Sequence, residues 1–281
     1  MIGVGLFTVI KVSVSILVVV LLSLIAEWSS PRIAGIISGY PLGAAISLYF
    51  IGLEIGPGFA AQSALFTAAG LAATVAFVGG YLIGVQLAKG RHRLAFLACS
   101  ILPGVGAYGL VAWMLSFMPI NWVTAPLIAI TSMVLAAWVF RHMPDVKIQQ
   151  RIHLGFGVTL LRAAFAALVI LAITTVAGVV GPRWAGLFSA FPITMLPFLA
   201  IIQFTYQPAH VRTIIKNVPR GLGSLLIYAM VVYASYEELG LIRGTLVGYL
   251  AATLYLIVLE YGMRGKLVGR AIKPSRHGTH S

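Results

Sequence analysis

From residue 4 to residue 262 the chain is a succession of apolar stretches, each about 20 residues long, parted by short segments that hold proline, glycine and most of the basic residues. A water-soluble core has no use for so many uninterrupted runs, whereas a bilayer needs about 20 apolar residues for every crossing helix. Composition agrees: 60% of the 281 residues are hydrophobic and 9% charged, and the mean hydropathy is +1.02, far above that of soluble domains. The pattern predicts an all-α polytopic membrane protein with roughly nine spans, at about 4–27, 33–54, 60–87, 94–117, 122–140, 157–180, 184–205, 210–236 and 241–262. The first stretch lacks a basic leader and is too long for a signal-peptide core, so it reads as the first span.

The net charge of +13 is an orientation signal and not a nucleic-acid footprint. Threaded alternately, the nine spans put Lys89, Arg91, Arg93, Arg141, Lys147, Arg151, Arg212, Lys216 and Arg220 on one side, joined by Arg264, Lys266, Arg270, Lys273 and Arg276 of the tail. The other side keeps Arg183 and Arg243 among Glu54, Glu237 and Glu238. The positive-inside rule then places the amino terminus outside and the carboxyl terminus in the cytoplasm of an inner, or plasma, membrane, with the basic face against anionic lipid headgroups.

Within this apolar sequence one stretch occurs twice. Ser30-Pro31-Arg32-Ile33-Ala34-Gly35-Ile36-Ile37-Ser38-Gly39-Tyr40-Pro41 returns as Gly181-Pro182-Arg183-Trp184-Ala185-Gly186-Leu187-Phe188-Ser189-Ala190-Phe191-Pro192, at a constant offset of 151 residues (182 − 31). Without a gap, the same offset pairs Lys11 with Arg162, Pro57 with Pro208 and Gly70 with Gly221. Matched prolines, arginines and serines are not what chance apolar composition produces. Equivalent positions fall in the second and seventh spans, and the five crossings between them invert the second copy. The domain reading follows: a first four-helix repeat over 1–118, a linker helix and cytoplasmic loop over 119–156, a second, inverted repeat over 157–263, and a basic tail over 264–281. Inverted repeats are a recurring plan of secondary transporters, whose substrate sites lie near mid-membrane on interrupted helices.

In each copy proline opens the span, where its missing N–H is harmless, and a second proline interrupts the helix about ten residues on. Pro41 and Pro192 therefore free backbone carbonyls at a depth where lipid cannot bond them. Ser38, Gly39, Tyr40 and Pro41, together with Ser189, Ala190, Phe191, Pro192 and Thr194, are the predicted substrate-binding residues. The competing explanation is a plain proline kink, with Gly35-x-x-x-Gly39 and Gly186-x-x-x-Ala190 letting a neighbouring backbone close in. Lys11 and Arg162 are the two bases set well within spans; they either snorkel to the interface or line the pathway and attract an anion. Arg32 and Arg183 stand at opposite mouths, as entry contacts or interfacial anchors.

No carboxylate is expected at mid-membrane, which argues against a carboxylate proton relay. Sodium coupling through carbonyls and hydroxyls stays open, and so does uniport. The six histidines fall in loops or the tail without metal-ligand spacing, no phosphate-binding loop occurs, and the lone Cys99 can build neither a disulfide nor a metal site within one chain. Neither an enzyme nor a metal or cofactor site is expected.

The stretch Ala-Gly-Ile-Ile-Ser-Gly-Tyr-Pro and its second copy Ala-Gly-Leu-Phe-Ser-Ala-Phe-Pro resemble the signature of the GlpM-like group of small bacterial inner-membrane proteins. The likeness spans about a dozen residues per half and rests on Ala34, Gly35 and Pro41 with their partners Ala185, Gly186 and Pro192. It implies a fused, duplicated relative connected with envelope polysaccharide production. The leading functional expectation is a secondary transporter or exporter of a small neutral or anionic solute, with a homo-oligomer allowed and no nucleic-acid partner. An accessory scaffold for an envelope-polymer or lipid-linked assembly comes second, and an anionic-lipid flippase third.

Overall fold

The computed structural model describes residues 9–14, 16–17, 20, 36, 39–87, 93–143, 156–205 and 208–271. Among these the chain is helical apart from short turns, without a strand. The described residues between 9 and 20 belong to an N-terminal helical stretch. After it come α1 (Leu42–Glu54), α2 (Pro57–Leu87), α3 (Arg93–Ser116), α4 (Thr124–Phe140), α5 (Phe156–Ser189), α6 (Met195–Thr205) and α7 (Pro208–Ala271). Four helical stretches, in α2, α3, α5 and α7, are long and apolar enough to cross a bilayer.

Glycine and proline set the boundaries. Gly181 (φ 77, ψ 170) divides α5 and Gly240 (φ 74, ψ 172) divides α7, each in a backbone region that a side chain disfavours. Pro182 directly follows the first turn, at the start of a helical segment where its missing N–H costs nothing. The expected spans 157–180 and 210–236 thus end beside real turns. By contrast α1 has 13 residues, about 20 Å of helix, and α6 has 11; each follows directly on a proline-containing turn.

α2 forms the centre of the packing. Its Ala60, Ala61, Ala64, Ala68, Ala69 and Ala73 are almost fully buried, because methyl-sized side chains let neighbouring backbones approach. Gly80 lies against the Pro103 carbonyl of α3 and Gly84 against the Cys99 carbonyl. The second contact has a cause in sequence: Pro103 lacks the N–H that would have bonded Cys99, four residues earlier. Around this centre, α4 and the far part of α7 turn Leu127, Val134, Leu135, Trp138, Ile242, Leu250 and Leu254 outward. An outward apolar belt of this kind suits hydrocarbon.

Contacts also sort the turns. Glu237 lies against Gly58, Ile55 against Gly178 and Leu241 against Gly52, and Arg183 donates to the Ser116 carbonyl. The turns around 55, 117, 181 and 240 therefore share one end of the bundle. At the other end Lys216 donates to the Met143 carbonyl at 2.7 Å, while Gln203 Nε2 donates to the Phe96 carbonyl at 3.1 Å and to Ser100 Oγ at 2.8 Å. Carboxylates Glu54 and Glu237 mark the first end; bases Arg141 and Lys216 mark the second.

Candidate functional site at two interrupted helices

Proline creates the two breaks, and their backbones match. At the first, Gly39 N–H donates to Ile36 at 3.1 Å and Leu42 N–H to Tyr40 at 2.7 Å, and Ala45 N–H then starts α1 by donating to Pro41 at 3.0 Å. Pro41 sits at φ −74, ψ 47, the centre of an inverse γ-turn. At the second, Ile193 N–H donates to Phe191 at 2.7 Å and Leu196 N–H to Pro192 at 2.9 Å. Those two bonds join the residues that lie 151 positions after Leu42, Tyr40, Ala45 and Pro41.

Each break packs on a long helix of the other half of the chain. A Cβ added to Gly39 would run into the backbone of Gly221 and Leu222, and one added to Gly221 would strike the Ile36 carbonyl. On the other side a Cβ on Gly70 would stand 2.7 Å from the Ala190 methyl and 3.4 Å from Leu187 Cδ2. Adding 151 to 39 and 36 gives 190 and 187, and subtracting it from 221 gives 70, so the two contacts are exchanged copies of each other. Aromatic rings surround both breaks. Tyr40 stacks on Tyr249 with centroids 5.9 Å apart, and Tyr249 lies 5.1 Å from Tyr228. Phe191 meets Phe77 at 6.2 Å and Tyr108 at 5.0 Å, and Phe77 and Tyr228 are again 151 residues apart.

Protein hydroxyls meet the carbonyls around the breaks. From α2, Thr67 donates to Gly186 at 3.0 Å and Thr74 to Ala190 at 2.7 Å; from α3, Tyr108 donates to Leu187. Ser224 of α7 reaches Gly39 at 3.2 Å while also bonding Gly221 in its own helix at 2.7 Å. Thr67, Gly70 and Thr74 make one small, polar face on an otherwise apolar helix. That face was visible in the sequence, but what it bonds was not.

Between the breaks lies a cavity of about 30 Å³, lined by Tyr40, Gly43, Ala44, Thr74, Ser189, Ala190, Phe191, Pro192, Ile193, Thr194, Met195, Leu222 and Leu225. The volume admits about two waters and nothing larger. No charged side chain lines it. Ser189 donates to the Ala185 carbonyl at 2.8 Å, and the Tyr40 and Thr253 hydroxyls are bonded at 2.8 Å. Gly43 touches Ile193, so the two breaks abut directly. Of the predicted site residues, Tyr40, Ser189, Ala190, Phe191, Pro192 and Thr194 share this cavity, and Gly39 and Pro41 flank it in sequence.

The predicted bases stand elsewhere. Lys11 is 3% exposed; its ammonium is paired with the Glu54 carboxylate, donates to Thr174 Oγ1 at 2.7 Å and lies 5.6 Å from the Phe50 ring centroid. It does not line the cavity; Glu54, expected simply at a span end, is the carboxylate it meets. Arg183 is exposed, bonded to Ser116 and 5.6 Å from the Phe66 ring centroid, an anchored position at the bundle end. Arg162 lies within α5, with its side chain outside the described atoms, and Ser38 and Arg32 lie outside the described residues. Among the described residues no group of histidine, cysteine, aspartate and glutamate could hold a metal ion. No protein-family model, curated protein or solved structure matches the chain.

Proposed function

We propose that this chain is a secondary transporter or exporter of a small neutral solute, working by alternating access at the cavity between the two breaks. Its halves are inverted four-helix units joined by α4, in about nine spans, with the carboxyl terminus cytoplasmic. The observation that carries the reading is the exchange of contacts: Gly39 on Gly221, and Ala190 on Gly70. Reciprocal contacts of this kind belong to units related by a two-fold axis, and an odd number of intervening crossings lays that axis in the membrane plane. The sorting of turns to two ends, with Glu54, Glu237 and Arg183 at one and Arg141 and Lys216 at the other, fits the same threading. The uncharged lining, and the neutralisation of Lys11 by Glu54, favour a neutral solute over an anionic one. The solute then requires a wider conformer than this one, whose cavity is sized for water.

Proteoliposomes tested for flux of uncharged polyols and sugars provide the check. Thr194→Phe, which fills the cavity, and the Pro41→Ala/Pro192→Ala pair should each abolish the flux seen with the unmodified chain. Flux that survives both changes removes the site.

A second reading has its own support: every hydroxyl bond to a break carbonyl described above is made by the protein itself, so the breaks hold together without a ligand. On this reading the chain is an accessory scaffold for an envelope-polymer or lipid-linked assembly, in keeping with the GlpM-like motif. Stable co-purification with a polymer synthase, and no flux of any solute, would favour it.

A further inference from the structure

The cavity between the breaks is two-fold in its lining but not in its chemistry. Thr74 and Leu225 are 151 residues apart, as are Gly43 and Thr194, and all four line it. In each pair the hydroxyl falls on the side of the second break: Thr74 bonds the Ala190 carbonyl there, and Thr194 follows Pro192 and Ile193 in the chain. Ser189 adds a third hydroxyl to the same wall. On the side of the first break, Gly43, Ala44, Leu222 and Leu225 are apolar, and the Tyr40 hydroxyl is engaged with Thr253 of α7. A few placed polar groups on an otherwise apolar lining are what orient a small ligand.

Each hydroxyl has one proton to give. Thr74 places its proton on the Ala190 carbonyl at 2.7 Å, and Ser189 places its own on the Ala185 carbonyl at 2.8 Å. These residues are 2% and 1% exposed. What remains to them are lone pairs, so a bond from either to a bound molecule is one in which the molecule donates. Thr194 has no hydrogen bond to a described residue, so its hydroxyl is free to donate or accept. We infer that the solute is recognised through its own O–H or N–H donors, accepted by Thr74 and Ser189, while Thr194 bonds a further polar group and the C–H edge of the solute lies against Leu222 and Leu225. This names the solute class at the proposed transport site, and it rests on that reading for movement but not for binding. Small polyols meet the pattern. Ethers and ketones bring oxygens without donors and would set lone pair against lone pair. A site built to bond a hydroxyl rejects the analogue that lacks one far more strongly than a pocket rejects a missing methylene. The Ser189 bond is made within its own helical segment, so its proton stays committed when the breaks part to admit a solute.

Binding can be measured apart from flux. Full-length protein in nanodiscs, with isotope-labelled threonine methyl groups, is titrated with glycerol and with ethylene glycol dimethyl ether, which has the same number of heavy atoms and no donor. The Thr74 and Thr194 methyl resonances, identified by their loss in Thr74→Val and Thr194→Val, report occupancy of the cavity. Glycerol should shift both, with an affinity about tenfold or more above that of the ether. Thr194→Val and Ser189→Ala should each weaken glycerol by about fivefold, read at Thr74, and leave the ether little changed; Thr194→Ser should bind as the native chain does. Equal affinity for the two probes, no shift with glycerol, or a preference that survives both Thr194→Val and Ser189→Ala overturns the inference. The two proposals fail separately: selective glycerol binding without flux removes transport alone, and cavity-dependent flux without a preference at these resonances removes donor recognition alone.

Discussion

Gly39 and Gly221 meet backbone to backbone, with no room for a methyl group on either. Gly39→Ala and Gly221→Ala should each lower stability by about 1–3 kcal/mol, the usual cost of overpacking, since what they would strike is backbone that cannot rotate aside. Gly79 is the control: it lies in α2 with nothing within 4 Å of an added Cβ. Gly79→Ala should be neutral or stabilise by up to about 1 kcal/mol. Apparent melting temperatures in detergent micelles rank the three.

Thr74 gives the matching test at the other break. Thr74→Val keeps the shape and deletes the donor to the Ala190 carbonyl, at an expected cost of about 1–3 kcal/mol for an acceptor left buried. Thr74→Ser should recover most of the loss. Ser224→Ala should cost less, because Ser224 already divides its bonding between Gly39 and its own helix.

Prolines and glycines made the breaks legible in the sequence, because their effect is local: Pro41 and Pro192 cannot donate, and Gly181 stands where only glycine rests easily. Apolar run length likewise located the long helices to within a few residues. Rotation of a helix about its own axis was not legible. Hydropathy placed Glu54 at a span end yet said nothing of which way it faces, and Lys11 finds it across 43 residues of chain. For the same reason nothing in the sequence singles out Thr67, Thr74, Tyr108 and Ser224, which bond carbonyls around the breaks.

The ion pair predicts an asymmetric mutational cycle. Glu54→Gln removes the carboxylate paired with a buried ammonium and should cost about 3 kcal/mol, near the lower end for breaking such pairs. Lys11→Met leaves a carboxylate that is only partly buried, and should cost less. The double variant should be more stable than Glu54→Gln alone, and a chemical-unfolding cycle measures the difference. Additive losses would mean that the two groups act independently.

Gly181 and Gly240 close their turns with φ 77 and φ 74, and each lies clear of any neighbour to an added Cβ. Replacement by alanine should therefore cost about 1–3 kcal/mol through backbone strain alone. Equal losses at the two positions, read from melting temperatures, are expected; no loss at either would mean that the segments run on as continuous helices.

Sidedness tests the central claim most directly. In sealed, right-side-out vesicles of Cys99→Ser protein, a membrane-impermeant thiol reagent should label Arg183→Cys at once and its repeat partner Arg32→Cys only after permeabilisation. Labelling of both from the same side contradicts the inverted arrangement and, with it, the alternating-access account.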